Sequence, residues 1–191
     1  NADTRLPLAS LTKLMTAIVA LENFSPNPDT LSIMLVSSSN EAAAVIASTS
    51  DNFISLMNKK AEEIGMAQTS FYNPTGLDVS FESAGAYGSA RDVAKLMEYF
   101  VKNYPKVAEV TRYESLNIGS HNFKNTDMLA ERLPGIIAGK TGSTDLAGGN
   151  LTVVIDIGLG HPVIISVLGS TEEGRFEDVK KLYYATMESI K

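Results

Sequence analysis

The sequence predicts an α+β fold of one domain, 1–191. A mostly helical part over about 10–108 is followed, over about 109–191, by an antiparallel sheet flanked by helices. Three observations predict it. Apolar residues recur at helical spacing through the first part of the chain. Two β-rich runs, 151–157 and 163–168, flank a glycine-rich turn. Phe176, Val179, Leu182, Tyr183, Met187 and Ile190 draw an apolar stripe along a closing helix.

Taken in order, Leu11, Leu14, Met15, Ile18 and Leu21 share one face, so a helix with one buried side begins near Ser10. Residues 23–30, with Pro26, Pro28 and Asp29, read as a loop. The apolar run 31–36 leads into Ser37-Ser38-Ser39-Asn40, and 41–47 reads as a short, well-buried helix. Phe53, Met57, Ala61 and Ile64 mark a helix that Gly65 ends. Residues 71–78 are turn-rich. Ser89 with Asp92 gives a capping-box signal for a helix carrying Val93, Leu96, Met97 and Phe100, closed before Pro105. Residues 110–118 are strand-like, and 136–144 is an apolar run broken by glycines. Gly158-Leu159-Gly160-His161-Pro162 is the hairpin turn.

Composition excludes several classes. The net charge is −6 and no run of basic residues occurs, which argues against nucleic acid as a partner. No apolar stretch approaches the roughly 20 residues of a membrane span, so a membrane is reached only through a segment outside this sequence. Without cysteine there is no disulfide, thiolate metal site or cysteine nucleophile. No metal-ligand cluster or phosphate-binding glycine loop is seen, and no cofactor is expected. The opening Asn-Ala-Asp is no signal peptide, so an exported form would be a processed one.

The chemistry centres on Ala9-Ser10-Leu11-Thr12-Lys13. Three positions apart at a helix start, Ser10 and Lys13 lie on nearly the same face. Unpaired N–H groups and the positive end of the helix dipole favour an alkoxide on Ser10 and disfavour a cation at Lys13. Burial lowers the lysine further, and a neutral amine beside a hydroxyl is a general base. On these residues alone, an N-cap serine and a surface lysine read at least as well.

Two further motifs follow: Ser38-Ser39-Asn40 ahead of a buried helix, and Lys140-Thr141-Gly142 at the end of a strand. Ser-x-x-Lys, Ser-x-Asn and Lys-Thr-Gly in that order are the motif set of penicillin-binding proteins and class A β-lactamases. Ser38 can relay a proton between Lys13 and a leaving group. Asn40 can bond a substrate backbone and steady Lys13. Lys140 attracts a carboxylate and depresses the Lys13 pKa. Gly142 lets an extended peptide approach the strand edge. The backbone N–H groups of Ser10 and Ser143 are candidates for the oxyanion hole.

The chain resembles the D-alanyl-D-alanine carboxypeptidases, low-molecular-mass penicillin-binding proteins of the DD-peptidase/β-lactamase-like superfamily. The resemblance is carried by 8–17, by Phe71-Tyr72-Asn73-Pro74-Thr75-Gly76-Leu77 and by 139–149. It implies that Ser10 attacks a D-Ala-D-Ala bond of a peptidoglycan stem peptide, that Lys13, Ser38 and Asn40 are catalytic, and that Lys140, Thr141, Gly142, Ser143 and Thr144 bind substrate. It also implies acylation by β-lactam antibiotics and an exported, extracytoplasmic location. Arg175 reads either as a contact to the substrate carboxylate or as a surface arginine. The sequence departs from the family in three respects. Almost nothing precedes the nucleophile helix. Lys13 and Ser38 are only 25 positions apart, with a junction-like step from Asp29-Thr30 to Leu31. Asp127 stands where the family commonly shows an asparagine. The resemblance also implies a C-terminal domain and a membrane-anchoring helix in many members, and neither is read within residues 1–191.

Rival readings are a class A-like β-lactamase and a non-catalytic domain that binds wall peptides or β-lactams. No glutamate is followed by asparagine four positions later, as the lactamase would need, and a pure binder needs no Ser10/Lys13 pair. The two histidines are set aside, His121 as an exposed loop residue and His161 as part of a turn. Tyr72 reads as a core aromatic or a groove wall.

Overall fold

The protein is described by a computed structural model covering residues 1–158 and 160–189. Its centre is helix α1 (Thr12–Asn23), which follows a 3-10 turn at Ala9–Leu11. Every α1 residue from Thr12 to Ala20 is buried, not one face only. A helix apolar nearly all round belongs inside a domain. Helices α2 (Pro28–Val36), α3 (Asn40–Ala47), α4 (Phe53–Ile64) and α5 (Ala90–Asn103) enclose it, sharing a core that includes Leu14, Ile18, Leu35, Met57, Leu96 and Phe100. A short α6 (Pro105–Glu109) follows α5.

Capping explains several boundaries. Asn27 accepts from the Thr30 N–H and Pro28 is the first helical residue, so α2 starts inside the expected loop and runs through the Asp29-Thr30-Leu31 step without a break. Gly65 ends α4 in the left-handed region, as expected. Ser89 caps α5 through the Asp92 N–H, but the Asp92 carboxylate bonds Gln68 N and Thr69 Oγ1, so only half of the capping box forms. In α3, Ala42, Ala43 and Ile46 are buried while Ala44 and Val45 face solvent, so that helix is half-buried.

Short strands β1 (Leu6–Pro7), β2 (Ser70–Phe71) and β3 (Ala86–Gly88) form a small antiparallel sheet in the order β1-β3-β2. Residues 110–112, expected in a strand, form a 3-10 turn. Strand β4 (Ser115–Ile118) pairs with β5 (His121–Lys124), which places His121 in a strand rather than a loop.

The main sheet is β6 (Ile136–Thr144), β7 (Gly148–Asp156) and β8 (Pro162–Ser170), antiparallel in that order. Alternation along its strands separates two cores. Ala138 and Val154 face the helical block, while Ile136, Leu151, Val153, Ile155 and Ile165 face α7 (Gly174–Ser189). Phe176, Val179 and Tyr183 of α7 are buried and Leu182 is exposed; Leu159 of the hairpin turn and Ile190 of the stripe lie outside the described residues. Asn150 ties the layers together, donating to Pro7 O and accepting from Gly169 N. Because β6 is an edge strand, its end at Lys140–Thr144 is free to meet the Ser10 turn.

Candidate active site

Ser10 sits in the 3-10 turn that leads into α1, and Lys13 lies one turn further on. The Lys13 Nζ is 2.8 Å from Ser10 Oγ. It also donates to Asn40 Oδ1 at 2.8 Å and to the Thr75 carbonyl at 2.9 Å. Lys13 is fully buried, and that burial brings its amine down from 10.5 to about 7. Near neutral pH about half of the molecules therefore carry a free lone pair beside the hydroxyl.

Two segments hold this geometry. Asn73 Oδ1 accepts from the N–H groups of Thr75 and Gly76, folding Asn73-Pro74-Thr75-Gly76 into a turn that aims the Thr75 carbonyl at Lys13. Thr16 anchors the same turn through the Pro74 carbonyl at 2.7 Å. Gly76, at φ +79°, packs on Ala9, and a Cβ there would lie 1.9 Å from Ala9 O. Ala9 itself is held at φ 48°, a strained value for a residue with a side chain. The Asn-Pro-Thr-Gly string signals a turn, but nothing in it says that the Thr75 carbonyl meets a lysine 62 positions away.

The second motif divides its labour. Ser39, not Ser38, caps α3 by accepting from Ala42 N, and this leaves the Ser38 hydroxyl for the site. Ser38 adopts φ 59° and accepts from Lys140 Nζ at 2.9 Å. The hydroxyl expected to serve Lys13 is thus in contact with the other lysine. Asn40, the first residue of α3, steadies Lys13 as expected.

The third motif lies along β6. Lys140 is buried, and its amine is lowered well below 10.5, first by burial and then by the Lys13 charge. Gly142 brings the strand over the Ser10 turn: a Cβ there would lie 2.8 Å from Leu8 O and 3.1 Å from Ser10 N. The other side chains point elsewhere. Thr141 shares a hydrogen bond with Thr126, and the Ser143 hydroxyl donates to Glu172. The Thr144 hydroxyl donates to Asp78 and accepts from Ala147 N. Arg175 is a buried strut rather than a surface arginine, its Nη1 donating to Gly142 O at 2.8 Å. Behind the strand, Asp127 is buried against Gly139 and its Oδ2 has no partner. Burial raises its carboxyl to about 6. Tyr72 is exposed and stacks edge-on with Tyr87, so it is not a core aromatic.

Three motifs separated by as many as 102 positions thus meet in one site, where Lys13 contacts the Ser10 hydroxyl and Lys140 that of Ser38. Residues 26–172 match the family model described as D-alanyl-D-alanine carboxypeptidase. The chain belongs to that family. D-alanyl-D-alanine carboxypeptidase DacF of Bacillus subtilis is 28% identical over 95% of this chain and 56% of its own length. The D-alanyl-D-alanine endopeptidase of Escherichia coli is 33% identical over 78% of this chain and 59% of its own. The chain therefore spans somewhat more than half the length of these family relatives. Among solved structures, penicillin-binding protein D2 of Listeria monocytogenes in its ampicillin-bound form superposes with a TM-score of 0.88 at 30% identity. It covers 96% of this chain and 88% of that one. The α+β arrangement of helices and antiparallel sheet is thus the family's fold.

Proposed function

We propose that this chain is a serine DD-carboxypeptidase. It removes the terminal D-alanine from peptidoglycan stem peptides through an acyl-enzyme on Ser10, and β-lactams acylate the same serine. The observation that carries the reading is a buried amine, brought down to about 7, placed 2.8 Å from a hydroxyl at a helix start.

The chemistry follows from the placement. Neutral Lys13 takes the Ser10 proton as Oγ bonds to the scissile carbonyl carbon. Charge develops on the carbonyl oxygen beside the N–H groups of Ser10 and Ser143, the proposed oxyanion hole. Collapse breaks the C–N bond, and the leaving amine takes a proton from the Ser38 hydroxyl, which Lys140 re-supplies across their 2.9 Å contact. Water then resolves the ester with the same groups in reverse. The Lys140 amine faces the Ser38 hydroxyl, and Arg175 holds the strand edge in place through Gly142 O. Stem peptides lie outside the cytoplasm, so the domain works on an exported protein; among the described residues no helix is long and apolar enough to cross a membrane.

Intact-mass analysis after treatment with benzylpenicillin tests this reading. A one-to-one adduct is expected on the parent protein and none on Ser10→Ala. An equal adduct on Ser10→Ala, or no adduct on the folded parent, would overturn it.

A further inference from the structure

The proposed chemistry gives the groove along β6 a direction. Lys140 and the Ser38 hydroxyl, which serve the leaving amine, lie toward the start of the Lys-Thr-Gly run. The Ser143 N–H, which faces the carbonyl oxygen, lies three residues further on. A substrate therefore runs antiparallel to β6, with its last residue toward Lys140 and its acyl part toward Thr144. One residue of extended chain covers about 3.3 Å. The residue that precedes D-Ala-D-Ala thus falls level with Thr144.

The segment after the Asn-Pro-Thr-Gly turn stands at that level. Asp78 accepts from the Thr144 hydroxyl at 3.0 Å and from Leu146 N at 3.2 Å. Both donors are neutral, so neither offsets its charge. On either side of Asp78 the chain presents apolar side chains to water. Leu77 is 44% exposed, Val79 62% and Phe81 96%. Their backbone is fixed. Leu77 O accepts from the Asn73 amide at 2.9 Å, and a Cβ at Gly85 would fall 2.2 Å from the same oxygen. Val79 N donates to Ser83 O at 2.7 Å, and Ser80 bridges to Ser83. The turn that carries this segment also supplies the Thr75 carbonyl to Lys13, so the exposed residues are tied to the site. Ordered apolar side chains held out into water beside a groove are the mark of a contact surface.

We propose that Leu77 and Asp78 are specificity-determining residues for the side chain that precedes D-Ala-D-Ala. They select a stem peptide in which that side chain is an aliphatic chain ending in an amine. The methylenes lie along Leu77, and the ammonium reaches the Asp78 carboxylate beside Thr144. This rests on the reading of Ser10 as nucleophile and of Ser38 as the donor to the leaving amine.

The test compares three acetylated tripeptides, X-D-Ala-D-Ala, in which X is L-lysine, Nε-acetyl-L-lysine or L-alanine. Released D-alanine gives kcat/KM for each. The parent is expected to favour lysine over Nε-acetyl-lysine about five- to tenfold, the size of one opposite-charge contact near a surface. That preference should shrink in high salt. It should fall to about one in Asp78→Asn. Nε-acetyl-lysine should exceed alanine about threefold through its methylenes, and Leu77→Ser should remove that margin. Benzylpenicillin labelling reports whether Ser10 is competent in each protein. Equal rates for the three peptides in a parent that labels normally would refute the proposal, whatever the variants do. A lysine preference that survives Asp78→Asn, or that is untouched by salt, would also overturn it. Failure of the parent to label would instead refute the nucleophile reading.

Discussion

Acylation should follow a proton on Lys13. An ordinary lysine, at 10.5, is neutral in about one molecule in 3,000 at pH 7. Full burial brings this amine to about 7, which raises the free-base fraction about a thousandfold at that pH. The three contacts of Lys13, to Ser10 Oγ, Asn40 Oδ1 and Thr75 O, involve neutral groups, so no counter-ion restores the charge. The sign follows directly. Deprotonation creates the base, so the second-order rate of acylation by a fluorescent penicillin should rise with pH through a midpoint near 7. Lys13→Arg replaces the amine with a guanidinium that stays charged in the same place. General-base contributions of about 10²–10⁴ set the expected loss at about a thousandfold above pH 7, shrinking toward pH 5 as the parent's own base is protonated. The profile is read by stopped-flow or gel labelling between pH 5 and 9. A flat profile through pH 7, or a Lys13→Arg rate within about tenfold of the parent, would refute the argument.

Two further perturbations probe the frame around this pair. Asp127 has a carboxyl raised from 3.8 to about 6 by burial, so the folded state holds its proton more tightly than the unfolded chain. Stability is then lost as pH rises from about 4 to about 6, by up to about 3 kcal/mol. Asp127→Asn should flatten that part of a Tm-against-pH curve and raise Tm at pH 7; equal slopes for the two proteins would contradict the sign. Gly142→Ala places a methyl 2.8 Å from Leu8 O and 3.1 Å from Ser10 N, so the Ser10 turn must shift. Penicillin acylation should drop about a hundredfold, the cost of a misplacement of about 1 Å, and rates near the parent's would show that the strand tolerates a Cβ there.

The sequence is most informative where local physics decides the outcome. The α1 start, the Gly65 cap and the β6–β7–β8 runs each follow from periodicity or a single residue type, and the structure places them within three residues of the reading. Helix α2 was hidden because Pro28 reads as a loop signal and as a first helical residue equally well; Asn27 decides between them. Strand β5 was hidden because His121, Asn122 and Lys124 are polar on an exposed two-stranded ribbon with little apolar alternation. The three motifs were legible as strings, but their wiring was not. Ser38 bonds Lys140 instead of Lys13, and Thr75 and Glu172 enter the site through contacts that span 62 and 29 positions. Such contacts are set by how the loop after β2 and the end of β8 fold back, which no short window encodes.

The strain has a location that bears on mechanism. Only three non-glycine residues among those described have positive φ, and two of them, Ala9 and Ser38, are the neighbour of Ser10 and the hydroxyl that Lys140 contacts. Such conformations cost roughly 1 kcal/mol or more each and persist where surrounding contacts over-determine them. Here the contacts are identifiable. Gly76 and Gly142 press on the Ala9–Ser10 turn, and Lys140 holds the Ser38 hydroxyl. Two buried lysines add a second destabilising element, because burial disfavours the charge of each and the Lys13 charge disfavours that of Lys140. A sequence selected for stability alone would relax all of these. Their coincidence in one site locates where the fold spends its stability: on keeping one amine neutral and one turn tight, the two conditions that the proposed attack of Ser10 on a carbonyl without an imidazole requires.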